Sequence, residues 1–351
     1  MRIAVLISGG VDSAVALRLL QQQGHTELTA FYLKIWLEDE LAFLGDCPWE
    51  DDLRQVRAVC EGAGVPLEVL SLQTEYHETI VADAIRELRA GRTPSPDISC
   101  NTRIKFGVFL DRIGSHFDKV ATGHYARLGT RANQALLLRA PDPVKDQTYF
   151  LSRLRQDQLQ RALFPIGHLR KAEVRALARD WNLPNATRPD SQGICFLGKV
   201  KFPEFVRFHL GTRPGPIVDI TSGRTLGEHE GYWFFTIGQR QGIKLGAGPW
   251  YVVGKDITTN TLRVCHADAL PTHTRNRFRL EDLHWIAGPP PVPSLSIRVR
   301  HGPAIVPCHF TTLDPDSAEV TLATPDPGIA LGQSGVLYDA DECLGAGTIA
   351  G

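Results

Sequence analysis

Ile3-Ala4-Val5-Leu6-Ile7-Ser8-Gly9-Gly10-Val11-Asp12-Ser13 leads without a break into Ala14-Val15-Ala16-Leu17-Arg18-Leu19-Leu20, and the segment ends at Gly24. The first five residues are apolar throughout and β-rich, which predicts a strand buried on both faces in a parallel sheet. The residues after the turn have helical spacing and a glycine stop. A strand, a glycine turn and a helix N-terminus together gather backbone N–H groups around an anion. Gly9 and Gly10 let the main chain come close to phosphate oxygens. The hydroxyls of Ser8 and Ser13 add donors, and Asp12 is placed to hold a divalent ion. The plainer alternative is a strand-to-helix turn in which Asp12 only caps the helix.

The turn is not a Walker A loop, because it lacks the lysine of G-x-x-x-x-G-K-[ST]. It also departs from G-x-G-x-x-G, so no dinucleotide site is indicated. S-G-G-x-D-S resembles the pyrophosphate loop of ATP pyrophosphatases, which split ATP between the α- and β-phosphates and adenylate an oxygen.

Downstream, Leu28–Leu33 and Leu67–Leu72 read as further strands. Helices are expected over Asp51–Gly64, Tyr76–Ala90 and Asn101–Phe117, and Lys119–Thr122 leads into Gly123-His124-Tyr125. This alternation predicts an α/β, doubly wound parallel sheet whose ligands gather at the carboxyl ends of its strands. Ala135–Ala140 reads as a short strand, Arg155–Leu163 and Lys171–Trp181 as basic helices, and Asn185–Gly198 as a loop. Beyond Phe202 the texture changes to short, glycine-rich segments. Trp250–Lys255 and Thr261–Cys265 form an expected hairpin. Ser296–Val299, Val306–Thr311, Glu319–Leu322 and Gly335–Tyr338 suit a small β-barrel, with the prolines of Gly288–Pro293 as a rigid loop before them. The expected division is 1–204, 205–270 and 271–351.

With 351 residues, 43% of them hydrophobic and 22% charged, the chain has globular composition and room for two or three domains. No run approaches a membrane span and the N-terminus enters a strand directly, so a cytoplasmic protein with no membrane partner is expected. The net charge of −1 gives no global signal for nucleic acid. From Arg161 to Arg213, however, ten Lys/Arg stand against four acids, an excess of six positive charges. That stretch is either a polyanion-binding surface or a solvated helical face.

Seven cysteines without C-x-x-C or zinc-spaced histidines make a disulfide framework or structural zinc a poor fit. Cys60, Cys265, Cys308 and Cys343 lie in apolar elements and are expected in the core. Cys47, beside Pro48, has no clear place. Cys100 follows Pro94-Ser95-Pro96-Asp97-Ile98-Ser99, where the prolines should keep the chain extended. Asn101 would cap the next helix, which puts the thiol at a helix N-terminus where its thiolate is favoured. Asp97 would exchange a proton nearby, although its charge opposes that thiolate. Cys195, in Asp190-Ser191-Gln192-Gly193-Ile194-Cys195-Phe196, sits on a loop that suits a mobile sulfur carrier. On spacing alone, both thiols are as open to a structural reading as to a reactive one.

The motifs taken together are more specific. Ser8–Ser13, Thr93–Phe106 (TPSPDISCNTRIKF), Ala121–Arg127 (ATGHYAR), Lys145–Ser152 (KDQTYFLS), Asp190–Gly198 (DSQGICFLG), Thr236–Gly242 (TIGQRQG) and Trp250–Asp256 (WYVVGKD) resemble, in order and over the whole chain, the bacterial tRNA-specific 2-thiouridylase family. The resemblance implies an ATP-pyrophosphatase domain, a small central domain and a C-terminal β-barrel. It also implies ATP and Mg2+ as cofactors, tRNA as partner, and a persulfide-donating sulfur-carrier protein or cysteine desulfurase. Residue by residue, it implies that Leu6, Ile7, Ser8, Gly9, Gly10, Val11, Asp12 and Ser13 bind ATP, with Leu33 and Gly123 closing on it. Cys195 would carry the persulfide, Cys100 would act as nucleophile and form a transient disulfide with it, and Asp97 would serve as acid/base. Ser95, Pro96 and Asp97 would meet the target base. His124, Lys145, Asp146, Gln147, Arg300, His301 and Gln333 would touch tRNA. Ala14 and Ser95 depart from the residues common at those positions, and Leu37–Glu50 follows no familiar pattern.

The chemistry is coherent. A uracil C2 oxygen is a poor leaving group until it is adenylated. A cysteine-borne sulfur then attacks, and a second thiol frees it. A synthetase that delivers an amine would use the same loop without the thiol pair. An RNA-binding scaffold would bind RNA without releasing AMP.

Overall fold

The computed structural model describes residues 1–35, 48–189, 201–290 and 294–351. Strand β1 (Ile3–Leu6) enters helix α1 (Val11–Gln22), and β2 (Leu28–Lys34) follows. Helix α2 (Pro48–Ala63) precedes β3 (Leu67–Ser71). Helix α3 comprises Gln73–Tyr76, a π-helical His77–Val81 and Ala82–Arg89. Helix α4 comprises Pro96–Ser99, a longer π-helical Cys100–Val108 and Phe109–Ile113. It leads to β4 (Lys119–Ala121).

With the two-residue β7 (Ala162–Leu163), these strands form a parallel sheet in the order β3-β2-β1-β4-β7. Ile3, Val5 and Ile7 point into one apolar cluster, while Ala4 and Leu6 point into the other. Both faces of β1 are therefore covered, which is why its sequence is continuously apolar rather than alternating. Strand order reverses between β1 and β4, so a crevice opens at their carboxyl ends.

Between β4 and β7 the chain forms a hairpin, β5 (Ala126–Arg131) and β6 (Gln134–Arg139), turned by Ala132 and Asn133, both at positive φ. Sequence reading finds only its second strand. Helices α5 (Thr148–Leu151), α6 (Gln156–Arg161), α7 (Lys171–Asp180) and α8 (Phe202–Leu210) follow. The next layer is a four-stranded sheet, β10-β11-β8-β9. It is built from β8 (Gly215–Asp219), β9 (Thr225–His229) and the expected hairpin β10 (Trp250–Asp256) and β11 (Thr261–His266).

The remaining strands are β12 (Arg275–Trp285), β13 (Ser294–Arg298), β14 (Val306–Asp314), β15 (Ser317–Asp326), β16 (Ser334–Asp339) and β17 (Glu342–Ala350). They close into a six-stranded antiparallel barrel through the pairing of β12 with β17. Strand β17 also pairs with β6, so the hairpin between β4 and β7 is an extension of the barrel wall. Ion pairs Arg131–Glu342 and Arg127–Asp341 reinforce that seam.

A buried pair lies at the heart of the contact between these layers. Asp146 Oδ2 stands 2.8 Å from Arg298 Nη1, with both side chains at 0% exposure. The approach is off the N–H axes, and the guanidinium lies 5.2 Å from the Tyr338 ring centroid. Removing one partner of such a pair costs about 3–5 kcal/mol, because the other is left charged and dry. The central layer is tied on by Tyr232 Oη, which donates to the Arg89 carbonyl, and by the Thr93 and Thr236 hydroxyls. Cys60, Cys265, Cys308 and Cys343 are buried, as their apolar surroundings imply. Among the described residues no helix is long and apolar enough to cross a membrane.

Candidate active site

The loop between β1 and α1 sits at the crevice. Gly10 is the N-cap of α1 and supplies no side-chain cap, so the helix terminus is left to gather an anion. Gly9 has φ +77°, and a Cβ there would meet Arg188 Nη1 at 2.7 Å and the Asp52 carbonyl oxygen at 2.9 Å. The Gly9 carbonyl accepts from Asn185 Nδ2 at 2.9 Å and Arg188 Nη1 at 3.1 Å. Ser13 Oγ donates to the Gly10 carbonyl and accepts from Ser8 N–H, which rigidifies the turn.

Gly123 closes the other side. A Cβ on it would stand 2.7 Å from Ser13 N and 2.8 Å from Asp12 C, so only glycine lets the segment after β4 lie against the start of α1. Leu33, near the end of β2, is half-buried on the same sheet edge.

Asp12 does not cap its helix through its side chain. Its Oδ1 accepts from Tyr125 Oη at 2.8 Å and from Lys171 Nζ at 2.7 Å. The cation missing from the loop sequence thus arrives from the first turn of α7. Among the described residues no group of three His, Cys, Asp or Glu side chains is placed to hold a metal. With Oδ1 of Asp12 already engaged, a magnesium ion here would be held mainly by a nucleotide's own phosphates.

The thiol segment corrects the sequence reading. Helix α4 starts at Pro96, at the position where proline needs no hydrogen-bond donor, rather than at Asn101. Asn101 is no cap. It is buried, and its Nδ2 donates to the Phe150 carbonyl at 3.0 Å. Cys100 lies a turn inside the helix and is 2% exposed, and burial pushes its thiol up to about 11. Lys105 opposes this shift while Asp97 adds to it. Burial therefore disfavours, in this conformation, the thiolate expected at a helix N-terminus.

The charge of Lys105 also acts on His124, whose ring is held neutral by burial, with its Nδ1 2.7 Å from Thr122 Oγ1. The Lys105 charge thus reaches both His124 and the Cys100 thiol, which its place in the TRIKF motif did not reveal. Cys195 lies outside the described residues.

Several expected RNA contacts turn inward. His124 is 8% exposed and set edge-on to Phe164. Asp146, at 1%, faces the barrel and not solvent, because its carboxylate serves Arg298 and Thr148. Lys145 and Gln147 flank it, half-buried, and Gln147 Oε1 accepts from Tyr125 N–H. The Ser95 carbonyl accepts from Ser99 N–H, while its hydroxyl lies on Tyr149. Pro96 is buried and Asp97 half-buried.

From the barrel, His301 stacks on Phe150 with centroids 4.5 Å apart. Arg300 is exposed and pairs with Asp326 through both nitrogens at 2.8 and 2.6 Å. Gln333 is half-buried, and its carbonyl accepts from Ile349 N–H.

The basic stretch is not one solvated face. Arg161 donates to the Gly114 and Phe117 carbonyls, and Arg175 to those of Ala186 and Arg188. Arg188 pairs with Asp52, Lys171 with Asp12, and Arg207 with Glu230. Much of the sequence excess is spent inside the fold, while Arg170, Arg179, Lys201 and Arg213 are exposed.

Known proteins align with the full chain. A family model described as the tRNA methyl transferase HUP domain matches residues 1–199. Those for its PRC-barrel domain and for an aminomethyltransferase beta-barrel domain match 203–266 and 275–349. The chain is 41% identical to a protein of Parabacteroides distasonis called tRNA-specific 2-thiouridylase MnmA, over 99% of each. It is 43% identical to one of the same name from Stenotrophomonas maltophilia, over 99% of this chain and 93% of that one. Among solved structures, the U34-tRNA thiolase NcsA of Methanococcus maripaludis overlaps 52% of this chain and 57% of its own, with TM-score 0.34 and 18% identity.

Proposed function

The chain belongs to the tRNA-specific 2-thiouridylase family, and on that premise we propose that it uses ATP to replace the C2 oxygen of a tRNA wobble uridine with sulfur. The observation that supports this reading is the glycine turn before α1, which Gly123 closes and where the Lys171 ammonium lies beside Asp12. A Cβ on Gly123 would meet Ser13 N at 2.7 Å and Asp12 C at 2.8 Å, so the segment after β4 lies directly against the turn.

In this reading, residues 1–204 hold the nucleotide and the thiols, 205–270 form the central domain, and 271–351 supply the barrel that helps to seat the RNA. The loop Leu6–Ser13 cradles the phosphates, with Leu33 and Gly123 flanking the nucleotide. ATP supplies the adenylyl group. The base's O2 takes that group at phosphorus, and pyrophosphate leaves. Lys171, beside Asp12, is set to steady the departing charge.

Cys195 carries a sulfur delivered by a persulfide-donating carrier protein or cysteine desulfurase. Its terminal sulfur attacks C2, and AMP departs with the former O2. Cys100 then attacks the Cys195 sulfur, which breaks the S–S bond to the base. The 2-thiouridine is freed and the two cysteines are left as a disulfide. Asp97 takes the Cys100 proton in that step, and an external thiol must reduce the disulfide before the next cycle. Ser95–Asp97 meet the base, and Lys145, Gln147, Arg300, His301 and Gln333 lie toward the tRNA. A tRNA substrate fits a cytoplasmic reaction.

The test is mass spectrometry of nucleosides from unmodified tRNA incubated with the protein, ATP and a persulfide donor. One AMP and one pyrophosphate are expected per 2-thiouridine, with no thiouridine from Cys100→Ser or Cys195→Ser. RNA binding without AMP would indicate a scaffold. Adenylation that transfers an amine regardless of either thiol would indicate a synthetase.

A further inference from the structure

Asp146 and Arg298 come from different layers and meet where neither is wet. Asp146 lies between Lys145 and Gln147, on the strip of the catalytic layer that the proposed function turns toward tRNA. Arg298 ends β13, two residues before Arg300 and three before His301, the corresponding strip of the barrel. The contacts around the pair run in the same direction. Thr148 Oγ1 and Tyr338 Oη are 3.3 Å apart, Tyr149 Oη donates to the Ser334 carbonyl at 3.0 Å, and His301 stacks on Phe150. Phe150 in turn accepts from Asn101, the neighbour of Cys100.

As a source of stability the pair is poor. Both ions are fully desolvated, and none of the three guanidinium nitrogens has an aligned hydrogen bond. What a buried charge pair does well is fix one register among several packings of similar energy.

We infer that Asp146–Arg298 is a positioning pair, which sets the barrel's Arg300–His301 turn against the Lys145–Gln147 segment so that a single tRNA meets both at once. The inference rests on the proposed function and adds to it two residues that touch neither substrate. A mismatched register would leave each strip intact but unable to engage the same RNA, so tRNA recognition suffers while the nucleotide loop is untouched.

The double variant Asp146→Leu/Arg298→Met separates this role from a merely structural one. It removes both charges at similar volume but takes the carboxylate away from Arg139, the Ala140 N–H and the Thr148 hydroxyl, so its melting temperature should fall modestly with the fold kept. Its dissociation constant for ATP should be unchanged, and its KM for tRNA should rise about tenfold. A wild-type KM for tRNA in this variant overturns the proposal. Should the double variant fail to fold, Arg298→Lys keeps the charge on a shorter reach. A raised KM for tRNA with unchanged ATP affinity supports the positioning role. A wild-type KM with only a lowered melting temperature overturns it. Wild-type protein that neither binds tRNA nor forms thiouridine would overturn the proposed function instead, so the two failures are distinct.

Discussion

The ammonium of Lys171 lies 2.7 Å from Oδ1 of Asp12, although 159 residues separate them in sequence. The side chains are 15% and 30% exposed, so the contact is only partly screened. A glycine turn without a lysine of its own thus has one placed beside it from the first turn of a distant helix.

The pair should act as a unit on nucleotide affinity. Lys171→Met is expected to weaken ATP binding by about 1.5–3 kcal/mol, roughly tenfold or more, with tRNA affinity retained. Asp12→Ala should do the same. Calorimetric titration of both single variants and the double checks the coupling. Strictly additive losses would show that the two residues act independently.

Gly123→Ala tests the close approach of two backbones. Its methyl would collide with Ser13 N and Asp12 C, neither of which rotates away. A stability loss of about 1–3 kcal/mol is expected from the overpacking, together with weakened ATP binding. Unchanged ATP affinity would show that the crevice tolerates widening.

Alkylation of Cys100 should be slow in the resting protein at pH 7. Burial raises its thiol to about 11, so the reactive thiolate fraction grows with pH until that value is passed. The growth is about tenfold per pH unit. Peptide mapping after timed iodoacetamide exposure measures it. ATP and tRNA together should accelerate the reaction at constant pH if the site opens around them. Rapid labelling of the isolated protein at pH 7 would contradict the buried geometry.

Lys255 gives a stability signature. Burial lowers its ammonium from 10.5 to about 8, and its Nζ donates to the Phe235 carbonyl. Below pH 8 both folded and unfolded forms are protonated, so the burial penalty is fully present. Between 8 and 10.5 the unfolded chain holds the proton longer, so this residue makes stability rise with pH. Lys255→Met should flatten that rise in denaturant midpoints. An unchanged slope would mean that another group titrates there.

The first strand and its turn were legible because burial on both faces and a glycine turn leave an uninterrupted apolar run followed by helical spacing. The hairpin at Trp250–Cys265 was legible from a different signal, two β-rich runs either side of a short turn at Ile257–Asn260. Strand β12 was not, because its outward side is charged and only Phe278 and Leu280 mark the inner face among Arg275–Glu281. Strand β17 separates Leu344 and Ile349 by Gly345, Ala346, Gly347 and Thr348, so no regular bulky pattern marks it. A Cβ at Gly345 would fall 2.0 Å from the His284 carbonyl oxygen, so glycine is there for strand contact and reads in sequence as a loop.

At the site, the prolines before Cys100 suggested an extended segment, but Pro96 instead opens the helix and carries the thiol into the core. The roles of Lys171, Arg188 and Arg298 depend on partners more than a hundred residues away. No local pattern could have revealed them.

The seam between β6 and β17 has a consequence for synthesis. Arg131 and Glu342, paired across it, are 211 residues apart in the chain. While the polypeptide is being made, the β5–β6 hairpin emerges long before the strand that completes it, and its outer edge waits with unpaired N–H and C=O groups. Such long-range closure is slow and leaves a sticky edge exposed in the meantime. A nascent chain stalled before residue 342 would therefore present a strand edge that invites a neighbouring chain, even with the glycine turn after β1 already formed.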